Sequence, residues 1–143
     1  MASPDASAQP LASGPPHHVL ILDDDPDILD LLALLLEERG YRVATALDGR
    51  LAVEAATRMA VTEGLDLALL DVSMPGLTGI EVARELRSRQ ECKSVRIVFH
   101  TAMPEDWVRP QFPEYDDFVG KPADMNHLMG RIEHHCRMSR AAP

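Results

Sequence analysis

The chain has 143 residues, 45% of them hydrophobic and 26% charged, a length that suits one domain around one core. Fourteen Lys and Arg against 23 Asp and Glu give a net charge of −9, which disfavours autonomous nucleic-acid binding, and no basic stripe offsets it. No apolar run approaches the roughly 18 residues of a membrane span, and no basic region followed by an apolar stretch marks a secretion signal, so the chain reads as cytoplasmic.

Residues 1–16 carry four Pro, four Ala and three Ser. They have too little to bury to offset the entropy of ordering and read as a disordered leader. From His17 onward, short apolar runs alternate with longer helical stretches. Val19–Leu22 leads to a helix over Asp27–Arg39, which Gly40 closes in the position where positive φ is cheap. Tyr41–Ala46 is a second strand, and Asp48 caps a helix over Arg50–Thr62. Leu65–Leu70 precedes a helix over Gly79–Arg89, and Val95–Phe99 is the fourth apolar run.

Between Thr101 and Phe118 another helix is due. Pro104 can open one at its first position, but Pro110 and Pro113 each remove a backbone donor and clash with the turn before them. A turn or two is expected there, and irregular chain beyond it. Phe118–Val119 forms a fifth short strand and Asp124–Arg137 a last helix. The domain body is thus expected over 17–138, with 139–143 a short tail and no output domain following. Strand runs that are apolar throughout, alternating with helices, indicate an α/β fold with a parallel sheet covered on both faces. Cys92 and Cys136 lack a metal-type spacing and read as reduced thiols.

In an open parallel sheet, reactive groups collect beyond the carboxyl ends of the strands. Here strand one ends in Asp23-Asp24-Asp25, strand three in Asp71 and strand four in Thr101, and strand five leads to Lys121-Pro122. Two carboxylates about 4 Å apart repel by about 4 kcal/mol at an effective dielectric of 20, so such a cluster calls for a hard cation. Oxygen-only ligands with open positions favour Mg2+. A divalent ion beside a lysine suits an anionic ligand, and phosphoryl is the obvious one.

The segments Val19-Leu-Ile-Leu-Asp-Asp-Asp-Pro-Asp, Leu69-Leu-Asp-Val-Ser-Met-Pro-Gly-Leu-Thr-Gly, Thr101-Ala and Lys121-Pro resemble the receiver domain of bacterial response regulators, over about residues 18–138. The resemblance implies a flavodoxin-like, doubly wound sheet of five parallel strands in the order 2-1-3-4-5, with flanking helices and a short or irregular fourth helix. It implies that Asp71 is the phosphoacceptor. Asp23 and Asp24 would hold Mg2+, Asp24 directly and Asp23 largely through water, joined by Asp71 and the backbone carbonyl of Ser73. Thr101 would engage the phosphoryl oxygen, with Ala102 beside it, and Lys121 would pair first with Asp71 and then with the phosphoryl. Pro122 would support the turn through a cis peptide. Phe118, the aromatic three residues before Lys121, would turn into the space that Thr101 vacates, although it lacks a hydroxyl to hydrogen-bond there. The implied donor is a histidine kinase or a histidine phosphotransfer protein, the implied chemistry is limited to the domain's own phosphorylation and dephosphorylation, and the implied assembly is a monomer or weak homodimer.

Several positions depart from the family. The proline-broken 103–117 segment would alter the usual output face, and Trp107 within it is expected as a packed anchor replacing the helix, the other reading being an exposed hot spot. His100 stands where the family is usually apolar and reads as a buried histidine bonded to backbone or water, with pH sensing or tuning of dephosphorylation as the alternative. Ser73 and Met103 lie at variable positions that tune hydrolysis. Asp25, Asp27 and Asp30 read as a solvated helix start. His127, His134, His135 and Cys136 read as a solvated face of the last helix, since His127 and His134 are two turns apart, about 10.5 Å by helical rise. Two other functions compete. One is a receiver fold that no longer switches and serves as an interaction module. The other is a Mg2+-dependent aspartyl-phosphatase of the haloacid-dehalogenase type, suggested by the Asp-x-Asp at a strand end but opposed by Pro26-Asp27 and by the short chain.

Overall fold

A computed structural model describes residues 15–141; the leader expected over 1–16 lies almost wholly outside them. The elements follow in strict alternation: β1 (His18–Leu22), α1 (Pro26–Glu38), β2 (Arg42–Ala46), α2 (Gly49–Thr62), β3 (Leu67–Leu70), α3 (Gly79–Ser88), a single 3-10 turn at Gln90–Cys92, β4 (Arg96–Thr101), α4 (Glu105–Val108), β5 (Asp117–Gly120) and α5 (Met125–Ala141). The strands form one sheet in the order β2-β1-β3-β4-β5, and every pairing is parallel.

Alternation within the strands divides the core in two. Leu20, Leu22, Ala68, Leu70, Ile97 and Phe99 face α2 and α3, meeting Ala52, Ala56, Val82 and Leu86. Val19, Ile21, Leu67, Leu69 and Val98 face α1 and α5, meeting Leu29, Leu32, Leu36, Leu128 and Ile132. Both faces are therefore covered along β1, β3 and β4, which are buried along nearly all their length, whereas the edge strand β2 carries exposed Arg42 and Thr45. Each fully buried leucine contributes about 2 kcal/mol by its removal from water.

Local chemistry sets the ends of the helices. The Asp25 side chain accepts from Asp27 N, the Asp48 side chain accepts from Leu51 N, and Thr78 with Glu81 forms a reciprocal capping box at α3. Gly40 takes φ 93 after α1. Two glycines admit close backbone contacts: a Cβ on Gly49 would lie 2.3 Å from Leu77 O, and one on Gly79 only 2.2 Å from Asp71 O. Gly79 thus lets the start of α3 rest directly on the backbone of Asp71.

The 103–117 segment is one helical turn followed by irregular chain, as its prolines require. Pro104 caps the turn from outside, so the helix begins at Glu105 and not at the proline. Trp107 is not an anchor: it is 49% exposed, and the core is filled from this segment by Val108 at 0% and Phe112 at 4%. One turn can direct only one of its side chains inward, and the register selects Val108. The last helix also differs from expectation. It runs to Ala141, absorbing most of the expected tail, and Ser139 Oγ donates to Asp66 Oδ1 at 3.3 Å. His127 and His134 are solvated as expected, but His135 and Cys136 are buried against the sheet, because they lie on the stripe that continues Leu128 and Ile132.

β5 is clasped where it enters the sheet. The Asp116 carboxylate accepts from Ile97 N at 2.8 Å and lies 3.5 and 3.4 Å from Arg87 and Arg96. Asp117 accepts from Arg131 Nε at 2.5 Å, and its Oδ2 is 3.0 Å from His135 Nε2. Burial raises the Asp117 carboxyl, but the bonds from Arg131 and His135 outweigh that and hold it below the usual carboxylate range.

Candidate functional site

Four strands deliver the site to one rim. Strand pairing ties their ends together: Asp23 N donates to Ala46 O at 3.2 Å, Asp71 N to Leu22 O at 3.0 Å and Lys121 N to Thr101 O at 2.8 Å. Asp23, Asp71 and Thr101 are buried at 1%, 4% and 0% exposure, whereas Asp24 is exposed.

The Lys121 ammonium sits between two of the carboxylates. Its Nζ donates to Asp23 Oδ2 at 2.6 Å and to Asp71 Oδ2 at 3.0 Å. Burial lowers the Lys121 pKa, but these two bonds and the charges behind them outweigh it, and the net shift is upward. The second oxygen of each acid is also engaged, Asp23 Oδ1 by Asp25 N at 2.9 Å and Asp71 Oδ1 by Ser73 N at 3.1 Å. The lysine bridge to Asp23 goes beyond the pairing with Asp71 that the family resemblance implies. Nothing in the spacing of residues 98 apart could have indicated it.

Asp23, Asp24 and Asp71 each offer an oxygen, and these oxygens lie within 4.8 Å of one another. Three carboxylates and one ammonium leave a net charge of about two minus, the charge that a divalent cation neutralises. The donor set is oxygen only, with one exposed member open to solvent, so the residues present fit Mg2+. His127, His134, His135 and Cys136 of α5 are not part of this cluster.

The remaining predicted residues line the same rim. Thr101 Oγ1 accepts from Met103 N at 3.2 Å, which aims the hydroxyl at the loop above β4. Ala102 is exposed and Ser73 is exposed beside Asp71. Phe118 is half-buried on β5, and the Lys121–Pro122 peptide is cis. His100 is buried at 7%; burial, and then the nearby Lys121 charge, lower its pKa to about 4. The shift favours the neutral imidazole, in keeping with the buried-histidine reading. Gly79 also belongs to the site: its lack of a side chain lets α3 rest on the backbone of Asp71, and its sequence signal is the glycine closing Asp71-Val-Ser-Met-Pro-Gly-Leu-Thr-Gly.

Comparison with known proteins gives one consistent answer. The sequence model of the response regulator receiver domain matches residues 19–133. The chain is 34% identical over 117 residues to the CAI-1 autoinducer sensor kinase/phosphatase CqsS of Vibrio cholerae, covering 80% of this chain and 16% of that one. It is 37% identical over 126 residues to the alkaline phosphatase synthesis transcriptional regulatory protein PhoP of Bacillus subtilis, covering 87% of this chain and 50% of that one. It therefore spans about half, or less, of the length of these curated relatives. Among solved structures, the response regulator TrrA of Thermotoga maritima, in complex with Mg(2+)-BeF, superposes with a TM-score of 0.65 at 31% identity, over 83% of this chain and 98% of that one. TrrA has also been solved in complex with the histidine kinase ThkA; that superposition has a TM-score of 0.68 at 30% identity and covers 83% of this chain and 97% of the other.

Proposed function

The chain belongs to the response regulator receiver domain family, and on that footing we propose that it accepts a phosphoryl group on Asp71 from a histidine kinase or a histidine phosphotransfer protein and so switches its protein contacts. The observation that carries this reading is the bridge of Lys121 across the buried Asp23 and Asp71 at a strand-end rim, with the Thr101 hydroxyl at the neighbouring strand end.

In this reading an Asp71 carboxylate oxygen attacks phosphorus, the bond from phosphorus to the donor imidazole breaks, and the imidazole nitrogen keeps the electron pair. Asp23, Asp24, Asp71 and the Ser73 carbonyl would hold Mg2+, which when bound neutralises charge between the acceptor and the phosphoryl oxygens. The protein's own work is to position and to neutralise, as a loose in-line transfer requires. Lys121 is already in contact with the acceptor and keeps its proton, so it meets the developing charge without titrating. Thr101, buried and fixed by strand pairing, has a hydroxyl proton to donate to a phosphoryl oxygen. Dephosphorylation is hydrolysis of the same acyl phosphate, so the domain is a signalling element and not a classical enzyme. Among the described residues no helix is long and apolar enough to cross a membrane.

The intact acid–lysine–hydroxyl set weighs against a domain that no longer switches, and the family assignment leaves the haloacid-dehalogenase reading without support. The test is intact mass after incubation with acetyl phosphate and Mg2+. One phosphoryl gained by the wild type, and none by Asp71→Asn or in EDTA, supports the proposal. If no adduct survives, beryllofluoride binding is measured instead, and failure to bind it overturns the reading.

A further inference from the structure

A run of packed side chains leads from Phe118, on the strand next to Thr101, to the surface at α4. The Phe118 ring leans along β5 toward Gly120, where an added Cβ would meet only Phe118 Cε1, at 3.9 Å, and Gly120 is paired in register with Thr101. On its other side Phe118 lies 6.2 Å from the ring of Tyr115, which in turn packs edge-on against Phe99 at 5.6 Å. The Tyr115 hydroxyl donates to Glu105 Oε2 and accepts from Arg109 Nε at 3.2 Å. Arg109 Nη2 lies 3.1 Å from that same Glu105 oxygen.

Glu105 is the first residue of α4 and Arg109 its C-cap. One phenol therefore ties both ends of a one-turn helix to the aromatic cluster. The three groups are chemically complementary, the hydroxyl acting as donor to a carboxylate and as acceptor from a guanidinium. Burial and the bond to Glu105 push the phenol pKa up, so it remains a donor. A helix of four residues has almost no stability of its own, and its placement follows whatever holds it. Trp107 lies on this turn and is 49% exposed.

We propose that Tyr115 is the positioning residue that carries a rotation of Phe118 into α4, so that the state of Asp71 sets how Trp107 is presented on the surface. The proposal rests on the receiver reading and adds to it a named route and a named exposed end. Trp107 is the sole tryptophan of the chain, so its emission reports on α4 alone.

The test uses the full chain with Mg2+ and beryllofluoride, following bound fluoride by fluorine NMR and Trp107 by acrylamide quenching. In the wild type, binding is expected to change the quenching constant by about twofold, the scale of a half-exposed ring becoming largely covered or uncovered. Tyr115→Phe keeps the ring and loses both hydrogen bonds; Glu105→Ala breaks the same clasp from a half-buried position. Both variants are expected to bind beryllofluoride as the wild type does and to lose most of the Trp107 response. A variant response equal to that of the wild type overturns the inference, as does wild-type binding with no change at Trp107. No bound-fluoride signal in the wild type refutes the receiver reading, and this inference falls with it.

Discussion

Acidification is expected to weaken this fold through one buried imidazole. His100 lies in β4 at 7% exposure, and burial, followed by the Lys121 charge, lowers its pKa from 6.5 to about 4. Between those two values the unfolded chain takes up a proton that the folded protein does not. The unfolded state binds more protons there, so stability is fully present above pH 6.5 and falls as the pH drops toward 4. At about 1.36 kcal/mol per pKa unit, the loss by pH 4 is about 3 kcal/mol, a large fraction of a typical domain's stability. His100→Val replaces the imidazole with a side chain suited to a dry strand. Urea unfolding of both proteins, in EDTA, at several pH values between about 7.5 and about 4 isolates the effect, because every other titrating group is common to the pair. The stability of the variant relative to the wild type should rise by about 3 kcal/mol across that range. A difference that stays constant within about 1 kcal/mol would show that His100 is protonated in the folded state as readily as in the unfolded one.

Three further outcomes follow from the site. Gly79→Ala forces a Cβ against Asp71 O at 2.2 Å; urea unfolding should show a loss of about 3 kcal/mol, the upper range for overpacking against backbone, together with reduced phosphoryl uptake. Asp24→Asn removes the exposed member of the acid cluster, and Mg2+ titration by calorimetry should show affinity reduced at least about tenfold, with the melting temperature in EDTA unchanged or raised. Lys121→Met leaves Asp23 and Asp71 buried without their counter-charge, which should cost about 3 kcal/mol in EDTA and less in saturating Mg2+. Because the folded pKa of Lys121 lies above its ordinary 10.5, the wild-type contribution should persist to that pH and fade only as the pH rises through the higher folded value. Equal losses for Lys121→Met with and without Mg2+ would show that the cation and the ammonium do not share these carboxylates.

Much of this architecture was legible because it is local. Apolar runs such as Leu67–Leu70, buried at every position, cannot belong to a half-exposed strand, and Gly40 and Asp48 mark helix ends by backbone chemistry that needs no tertiary context. Asp23, Asp24, Asp71, Thr101 and Lys121 were legible as a group through a resemblance carried by short motifs at strand ends. What escaped depends on packing. The exposure of Trp107 is set by which side of a single turn meets the sheet, and a turn that short has no periodicity to read. The burial of His135 and Cys136 was hidden by their polarity, since a partner such as Asp117 becomes visible only once β5 and α5 are brought together. The bridge from Lys121 to Asp23 and the contact of Gly79 with Asp71 likewise join residues that only the folded chain makes neighbours.

The clasp at the start of β5 bears on how the sheet opens. β5 borders the sheet and pairs with β4 alone, and an edge of four residues is ordinarily the first to fray. Here its entry is held by Asp116 and Asp117 through Arg87, Arg96, Arg131 and His135, and its exit by Lys121. The amide of Val119 should then exchange with deuterium only on near-global unfolding, and more readily at high salt, where the outer ion pairs are screened. Any rearrangement on this strand is left to side chains, because the backbone that bears them is stapled at both ends.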